Sequence, residues 1–304
     1  MQVDVVIVNW NSKKLLEKCV DSLLLHGGEE LNNIVVIDNA SSDNSLAFLT
    51  KHPQVLLFSQ EENLGFAKAC NIGAAHCSAE YILFLNPDAE VFEGTLQRVT
   101  AFMSEQQNHR IGVCGVQLID ESGLVARSCS RTATFSGLIM HAVGLDRKWP
   151  SLGQAMRDWN HLNDSVVDQV IGAFYFVRRD LFVQLEGFDE RFFVYYEEVD
   201  FAYRAKQKGY SSYFLASERA FHEGGGTSNQ VKAARLFYSL RSRLQYSFKH
   251  FHWFKASIIT LVSIIIEPLM RCLLCVSRKD LFGVKETLLA YKNLLKWYVT
   301  KGER

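Results

Sequence analysis

The first hundred or so residues alternate between short apolar runs and stretches of helical periodicity, and this alternation constrains the fold most strongly. The continuous apolar runs cover residues 3–8, 35–37, 55–58 and 81–85. Runs this apolar, separated by helices, are typical of parallel strands that are buried on both faces. The pattern predicts an α/β fold of βαβ units with a mixed, mostly parallel sheet.

Helical patterns separate these predicted strands. One starts at Ser12 and runs to Leu23, and another covers residues 65–75. After the second strand, Ser41, Ser42 and Asp43 are residue types that favour a helix start, so we expect a helix there. Farther along, the sequence predicts a hairpin around residues 120–123, an irregular segment at 130–165, strand character at 166–177 and a helix at about 197–208.

Polar residues stand where each of the four strands ends. They form the segments Asn9-Trp10-Asn11, Asp38-Asn39, Asn63-Leu64-Gly65 and Asn86-Pro87-Asp88. Any one of them could simply be a turn, because Asn, Asp and Pro are common turn residues. Ligands of parallel sheets, however, bind beyond the carboxyl ends of the strands. Four polar segments on one rim therefore favour a nucleotide-binding cleft.

Two further clusters carry chemical groups. Glu197, Glu198 and Asp200 follow a run of aromatic residues, and a partly desolvated carboxylate of this kind suits a general base. The alternative is structural, since acidic residues at a helix start interact favourably with the helix dipole. His222 precedes glycines 224–226, which indicates contact with a metal or a diphosphate, although the run lacks the G-K-[ST] ending of a P-loop.

Charge is distributed unevenly along the chain. Lys plus Arg and Asp plus Glu each total 33, but residues 231–304 carry 14 basic and 4 acidic side chains. This asymmetry favours an anionic surface as a partner of the C-terminal end, with a soluble basic helical tail as the alternative. The 7 scattered cysteines are typical of a reducing compartment. No signal peptide is visible before the first strand, so we expect a cytoplasmic body.

Residues 257–276 are almost entirely apolar and long enough to span a membrane. A polar stripe interrupts the apolar run, and Pro268 lies within it; the stripe comprises Ser257, Thr260, Ser263, Glu267 and Arg271. A narrow polar face with basic neighbours is typical of a helix that lies in a membrane interface. We therefore expect peripheral membrane association through residues 250–280, with a soluble packed helix or a true span as alternatives.

Several segments, taken in order, carry a resemblance to a known family. They are VIVNWN, VVIDNASSDNS, NLGFAKACNIGA, FLNPDAEV, GAFYFVRRDLF, GFDERFFVYYEEVDFAYRA and HEGGGTS. Across residues 3–228 the chain resembles glycosyltransferase family two, most closely its bacterial rhamnosyltransferase and galactofuranosyltransferase branch. The resemblance implies a GT-A fold, a nucleoside-diphosphate sugar donor, a Mg²⁺ or Mn²⁺ ion and inversion at the anomeric carbon.

The resemblance also implies a role for each polar group on the rim. Asp38 would accept the pyrimidine N3–H, and Asn9 and Asn11 would lie beside the base or ribose. Nucleotide-sugar contacts would also come from the segments that follow the third and fourth strands and from the helix between them, namely from Asn63, Gly65, Asn71 and Asn86. Asn71 would support the loop that contains Asn63 and Gly65.

The metal and the catalytic acids are implied in the same way. Asp88 would bind the metal with His222 as a further ligand, while Asn86 replaces an aspartate found in many members. Glu198 matches the catalytic base, normally an aspartate, and Glu197 is its neighbour in position or charge. Weaker acceptor contacts are expected from Arg131 and Asp200.

These expectations define a GT-A catalytic domain over residues 1–229 and a basic amphipathic helical region over 230–304. The catalytic domain would divide into a nucleotide-binding half, 1–110, and an acceptor and catalytic half, 111–229. We expect an inverting transferase that uses a UDP- or dTDP-sugar, with rhamnose as a candidate. Its acceptor would be a glycan or a polyprenyl-diphosphate-linked glycan, not nucleic acid, at the inner face of the cell membrane.

Two alternatives stay open at this point. A GT-A nucleotidyltransferase would need a glycine-rich loop after the first strand, and NWNSKKLLE contains no glycine. A non-catalytic sugar-nucleotide or glycan-binding module is supported by the departures at Asn86 and Glu198.

Overall fold

The computed structural model describes residues 1–224 and 231–302, which form two compact units. The first unit comprises residues 1–130, 159–193 and 197–224. The second comprises residues 131–158, 194–196 and 231–302. The segment 131–158, which we assigned to the catalytic domain, thus groups with the C-terminal helices. A contact between Lys255 and the ring of Phe135, at 5.9 Å, is one of the interactions within this second unit.

The first unit is built on a mixed sheet, which has nine strands among the described residues. Its strands are β1 (Val3–Asn9), β2 (Leu31–Asp38), β3 (Val55–Ser59), β4 (Tyr81–Leu85), β5 (Ala89–Val91), β6 (Ile111–Ile119), β8 (Ser165–Val167), β10 (Phe174–Arg178) and β11 (Ser211–His222). The order is β3-β2-β1-β4-β10-β6-β11-β5, with β8 beside β11. A separate small ribbon pairs β7 (Cys129–Ser130) with β9 (Gln169–Val170).

Helices flank this sheet. They are α1 (Leu15–His26), α2 (Phe66–Ala75), α3 (Thr95–Ser104), α5 (Arg179–Gln184) and α6 (Glu197–Gln207). The strands β1 to β4 run parallel, whereas β10 runs antiparallel to both of its neighbours. Every residue of β1 and β4 is buried, as expected for strands covered on both faces. The predicted fold class is therefore confirmed.

One charged residue lies within this buried layer. Asp4 of β1 is fully buried, and its carboxylate accepts hydrogen bonds from the backbone of Ser78 and Ala79 and from the amides of Asn32 and Asn33. These four donors compensate the loss of hydration. Asp4 thereby fixes the start of β4 against β1, a structural role that is unrelated to the polar rim.

Two local predictions were wrong. The segment after β2 does not start an α-helix at residues 41–43; it forms a loop that leads to a short 3₁₀ turn at Ala47–Lys51. The Ser and Asp side chains that suggested a helix cap bind the neighbouring loop instead. The predicted strand at 166–177 is divided into β8, β9 and β10, because the chain turns after Val167 and again at Gly172.

The second unit is helical. It contains α4 (Phe135–Ala142), α7 (Lys232–His250), α8 (Trp253–Leu261), α9 (Glu267–Ser277) and α10 (Leu281–Gly302). A π-helical turn at Val262–Ile266 joins α8 to α9, directly before Pro268. A proline has no N–H to donate within a helix, which explains why the hydrogen-bond pattern changes at this point. Among the described residues, one helix, Trp253–Ser277, is long and apolar enough to cross a membrane by length and composition.

Candidate active site

The carboxyl ends of β2, β1 and β4 lie side by side and form the rim of the candidate site. Asn9 pairs with Asp38 across β1 and β2, and Ile7 pairs with Leu85 across β1 and β4. The polar residues that follow these strands therefore begin at the same edge of the sheet. The sequence prediction of a shared rim follows directly from this parallel register.

Asn9 supports Asp38. Its Nδ2 group lies 2.8 Å from Asp38 Oδ1, 2.9 Å from Ser45 Oγ and 3.1 Å from Ser41 Oγ. The Ser12 hydroxyl donates to Asn9 Oδ1, and the side chain is fully buried. Both N–H groups of this amide are engaged and the side chain has no exposed surface, so it has no free donor that could contact a nucleotide. We infer that Asn9 orients Asp38, in place of the predicted contact to base or ribose.

Asp38 is held on both carboxylate oxygens. Oδ1 accepts the Asn9 amide, and Oδ2 accepts the backbone N–H of Ser41 at 3.1 Å. The residue is only 3% exposed. A fixed acceptor of this kind suits a donor of defined geometry, such as a pyrimidine N3–H.

Asn11 ties the loop after β1 to the loop after β2. Its Oδ1 accepts the backbone N–H of Ser42 at 2.8 Å, and its own N–H donates to Ser41 Oγ at 3.0 Å. The backbone N–H of Lys13, in the loop after β1, likewise donates to the Asp43 carboxylate in the loop after β2, at 2.9 Å. The serine and aspartate residues that resembled a helix start therefore join the two loops into one support for Asp38.

Asn39 and Asn63 shape the entry to α2. The Asn39 amide donates to the carbonyl of Gly65 at 3.0 Å and accepts the N–H of Leu64 at 3.3 Å. Asn63 Oδ1 accepts the N–H of Gly65 at 2.9 Å, which closes a local turn. Gly65 has φ of +85°, and a Cβ there would collide with the carbonyl and ring of Phe193, so the position requires glycine.

Asn71 supports a different loop from the one predicted. Its Nδ2 donates to the carbonyl of Phe188 at 2.8 Å, and its Oδ1 accepts the Phe188 N–H at 2.9 Å. The N–H of Phe66 donates to the carbonyl of Phe193 at 2.6 Å. Helix α2 therefore holds the segment 188–193 that precedes α6, and this segment positions the two glutamates at the start of α6.

The two glutamates of α6 differ in environment. Glu197 is 4% exposed, and its Oε2 has no hydrogen-bond partner among the described residues. Burial, with a smaller contribution from the charge of Glu198, raises the pKa of Glu197 well above its ordinary value. Glu198 is only half-buried. Glu198 is therefore the more exposed acid of the pair, although its Oε2 atom is buried, while Glu197 belongs to the interior.

Tyr175 of β10 lies beside this pair. It is fully buried, and its hydroxyl has no hydrogen-bond partner among the residues that the structure describes. Burial first, and then the negative charge of Glu198, raise the pKa of Tyr175. Tyr175 also pairs with Phe84 of β4, the strand that leads to Asp88.

Asp200 belongs to the support of α6. Its carboxylate is fully buried and lies 2.7 Å from Nε of Arg204. Arg204 also donates to the carbonyls of Leu185 and Gly187, at 2.5 and 2.8 Å. The predicted acceptor contact does not agree with this burial, and we infer that Asp200 anchors the loop before α6.

Asp88 and His222 come together through sheet pairing. His222 pairs with Ala89 across β11 and β5, and the N–H of Glu223 donates to the carbonyl of Asp88 at 3.0 Å. His222 Nε2 lies 3.4 Å from Asp88 Oδ1, and the two side chains are 12% and 10% exposed. Asn86 lies in the turn just before them, where its N–H donates to Ala173 at 3.1 Å.

Two predicted features lie outside the described part of the first unit. Arg131 lies in the second unit, where its guanidinium pairs with Asp158 at 2.7 Å, so its contact with an acceptor stays a prediction. Glycines 225 and 226, which follow His222, lie outside the described residues.

Sequence reasoning missed two residues of the site. Asn39 was recognised at the strand end but received no role, although it binds the loop of Gly65. Tyr175 had no sequence signal, because it lies within an apolar strand whose neighbours are all buried. Only the pairing of β10 with β4 indicates its position.

Comparison with known proteins identifies the family. The sequence profile described as glycosyl transferase family 2 matches residues 4–182, more than half of the 304 residues. The chain belongs to glycosyl transferase family 2. The predicted resemblance is thus confirmed, and the chain is a glycosyltransferase.

Relatives of this family 2 glycosyltransferase agree with the branch suggested by its motifs. It is 26% identical over 270 residues to the N-acetylglucosaminyl-diphospho-decaprenol L-rhamnosyltransferase of Mycobacterium tuberculosis, covering 83% of this chain and 86% of the relative. It is 24% identical over 253 residues to rhamnosyltransferase WbbL of Escherichia coli, covering 80% and 92%.

A solved structure supports the GT-A fold. Mannosyltransferase PcManGT from Pyrobaculum calidifontis, in complex with GDP-Man and Mn²⁺, aligns with a TM-score of 0.56 at 14% identity. The alignment covers 100% of this chain and 81% of that one. The family favours sugar transfer over both alternatives that the sequence left open.

Proposed function

We propose that this family 2 glycosyltransferase moves a sugar, with rhamnose as the candidate, from a UDP- or dTDP-sugar to a hydroxyl group. The reaction would be a metal-dependent displacement with inversion, and the acceptor a glycan or lipid-linked glycan of a cell-surface polysaccharide. The names of both rhamnosyltransferase relatives support the sugar, and the name of the Mycobacterium tuberculosis relative supports the lipid-linked acceptor. The observation that carries the proposal is the Asp88–His222 pair at the end of β4.

The residues at the end of β4 fit a divalent cation. Asp88 offers a carboxylate oxygen and His222 an imidazole nitrogen, with 3.4 Å between the two atoms. Neighbouring ligands of an octahedral ion with bonds of about 2.1 Å are about 3 Å apart, so both could bind one ion after a small adjustment. No group of three such side chains occurs among the described residues. Mn²⁺ or Mg²⁺ bound there would neutralise the leaving diphosphate.

Glu198 is the base in this proposal. An acceptor hydroxyl attacks the anomeric carbon and transfers its proton to a carboxylate, which must be ionised and accessible. Glu198 is half-buried in the first turn of α6, whereas Glu197 is buried and has a raised pKa. The raised pKa of Glu197 favours its neutral form, which would reduce the negative charge beside the base.

The rim residues bind the nucleotide in the proposal. Asp38, fixed by Asn9 and Ser41, would accept the N3–H that uridine and thymidine share. Asn11 lies in the tied loops beside it, and Asn63 and Gly65 lie where α2 begins. Asn86 would contribute a neutral oxygen near the diphosphate.

We place the enzyme in the cytoplasm, peripheral on the inner face of the cell membrane. The described structure contains free cysteines and no disulfide, as suits a reducing compartment. A polyprenyl-diphosphate-linked acceptor would be reached at that surface.

A thermal-shift titration tests the donor and metal site. We expect UDP or dTDP to raise the melting temperature more with Mn²⁺ than without it, because binding to the native state stabilises it. Asp88→Asn and His222→Ala should lose this Mn²⁺-dependent increment. Glu121→Gln, at an exposed turn, is the matched control and should retain it. An undiminished increment in Asp88→Asn would refute the metal assignment.

Transfer itself needs a separate assay. Incubation with dTDP-rhamnose and a lipid-linked acceptor analogue should give a product of inverted anomeric configuration, as read by NMR. Retention of configuration, or release of free sugar alone with every acceptor tried, would contradict the proposal.

A further inference from the structure

The helix Trp253–Ser277 exposes an apolar stripe over its whole length. The stripe recurs every three or four residues and comprises Leu261, Ile265, Leu269, Leu273 and Val276, which are 60%, 53%, 62%, 64% and 58% exposed. A soluble helix normally turns such a stripe toward the core. Here the apolar side chains face outward.

Most of the polar stripe of the same helix faces inward, although Ser257 near its start is exposed. Thr260, Ser263 and Glu267 are buried, and Ser263 accepts a hydrogen bond from Arg243 of α7 at 3.0 Å. The Arg243 guanidinium also pairs with Glu267, and Arg271 pairs with Glu267 at 2.8 Å. Burial would raise the pKa of Glu267, but the positive charges of Arg243 and Arg271 outweigh this effect and hold the pKa below its ordinary value. The polar face is therefore satisfied within the second unit.

Helix α10 packs against α7 and α9 and also exposes apolar and basic side chains together. Leu281, Leu288 and Leu295 recur every seven residues and are 78%, 57% and 48% exposed. The surface residues Lys285, Lys292 and Lys296 lie near them on the helix. Lysine stems can pack along an apolar surface while the ammonium groups reach phosphates.

We propose that the Trp253–Ser277 helix lies in the plane of an anionic lipid leaflet, with its Leu261–Val276 stripe inserted, and that α10 adds basic contacts. This proposal rests on the membrane location given under the proposed function. Charge complementarity selects the partner. In α10 and in the preceding residues 278–280, the exposed charged residues are basic except for Asp280. A protein partner with an acidic apolar groove is excluded as the occupant if pure lipid vesicles suffice.

The inward polar stripe argues for an in-plane helix rather than a span. A membrane-spanning arrangement would place Glu267 near the centre of the bilayer, together with Arg243 and the surrounding part of α7. Carrying α7 into the membrane would expose its own charged residues to lipid, which is costly. An in-plane helix keeps α7 in water and places only the apolar stripe in the leaflet.

Vesicle flotation of the full-length protein tests the surface. We expect flotation with phosphatidylcholine vesicles that contain phosphatidylglycerol, and weaker flotation without the anionic lipid. The variant Leu269→Glu/Leu273→Glu should partition at least about tenfold more weakly. Leu124→Glu is the matched control, since Leu124 is 67% exposed in the first unit, and it should float like the wild type. Neutralising one lysine should weaken binding to anionic vesicles about fivefold. Lys285→Glu/Lys292→Glu reverses two charges and should therefore weaken binding by more than about 25-fold.

Labelling tests the orientation. Cys272 and Cys275 are replaced by serine, and the other five cysteines are buried. Single cysteines are then introduced as Trp253→Cys or Arg278→Cys, at the two ends of the helix. In membrane vesicles of known sidedness, an impermeant maleimide should label both positions from the cytoplasmic side. Labelling from opposite sides would show a span and overturn the proposal.

The remaining outcomes also decide. Failure of the wild type to float overturns the proposal. So does a dimer that Leu269→Glu/Leu273→Glu disrupts in the absence of any vesicle binding, because the stripe would then be an interface between two copies. Donor binding with Mn²⁺ is measured in the same preparations without lipid. Flotation without donor binding would leave this inference standing and refute the proposed function alone.

Discussion

Replacing each of the two adjacent glutamates of α6 by glutamine should give opposite results. Glu197 is 4% exposed, with an Oε2 that lacks a hydrogen-bond partner among the described residues. Burial, aided by the charge of Glu198, raises its pKa. A protonated glutamate and a glutamine have nearly the same shape, so Glu197→Gln should preserve the packing of α6.

The stability of Glu197→Gln should depend on pH in a defined direction. A carboxyl with a pKa raised in the folded state binds its proton more tightly there than in the unfolded chain. The free energy of unfolding of the wild type therefore falls as pH rises from the ordinary glutamate pKa through the raised one. At pH 7 this penalty has an upper limit of roughly 3 kcal/mol, from about 1.4 kcal/mol per pH unit. The variant removes this penalty, so we expect it to be more stable than the wild type at pH 7, by no more than this limit, and equally stable near pH 4.

Catalysis should separate the two positions further. Glu198→Gln should lower the rate of transfer by about 10²–10⁴, since it removes the general base, while donor binding persists. Glu197→Gln should retain transfer within a few-fold. Urea denaturation between pH 4 and 8 and initial transfer rates are the two measurements. If Glu197→Gln loses transfer as severely as Glu198→Gln, or shows the same stability difference from wild type at pH 4 and pH 8, the assignment of a neutral Glu197 is refuted.

Three further substitutions test the supports of the site. Gly65→Ala should lower the free energy of unfolding by at least about 2 kcal/mol, because φ is +85° and the added Cβ would collide with Phe193. Gly123 has a similar φ of +76° but open space around it, so Gly123→Ala, the control, should cost about 1 kcal/mol. Equal losses by calorimetry would contradict the steric argument. Asn9→Ala should weaken binding of UDP or dTDP about tenfold and destabilise the fold by about 1–3 kcal/mol, since it leaves the serine and Asp38 partners unpaired. Unchanged donor affinity by titration calorimetry would show that Asp38 needs no such support. Arg243→Met should cost about 3–5 kcal/mol by leaving Glu267 without its buried partner, and Arg243→Met/Glu267→Leu should recover much of this loss. A double variant as unstable as the single one in denaturant would disprove the pairing argument.

The sheet could be predicted from the sequence because its strands are defined by burial. β1 and β4 are buried on both faces, and a strand in this environment has apolar residues at nearly every position, which produces an unbroken apolar run in the sequence. Their polar ends were equally visible, since parallel strands bring their carboxyl ends to one edge. The rim of the site was therefore predictable without knowledge of any long-range contact.

The roles of individual polar residues were not predictable in the same way. Asn9, Asn71 and Asp200 have the same residue types as ligand-binding groups, yet the structure engages each of them in internal hydrogen bonds. A sequence does not distinguish an amide that faces a ligand from one that faces a neighbouring loop. The same limit applies to Ser41–Asp43, whose capping chemistry serves loop contacts, and to the polar stripe of residues 260–267, which faces inward.

The substitution of glutamate for the usual aspartate at position 198 acquires a physical meaning from these supports. The segment before α6 is bound by Asn71, by Phe66 and, through Asp200, by Arg204. With the backbone held from two helices, the start of α6 has little freedom to shift toward or away from the rim. The extra methylene of Glu198 therefore displaces the carboxylate itself, by about an ångström, relative to an aspartate. With Glu198 as the base that we propose, an acceptor hydroxyl would approach at a correspondingly different position, and the side-chain length at 198 would help to determine acceptor geometry.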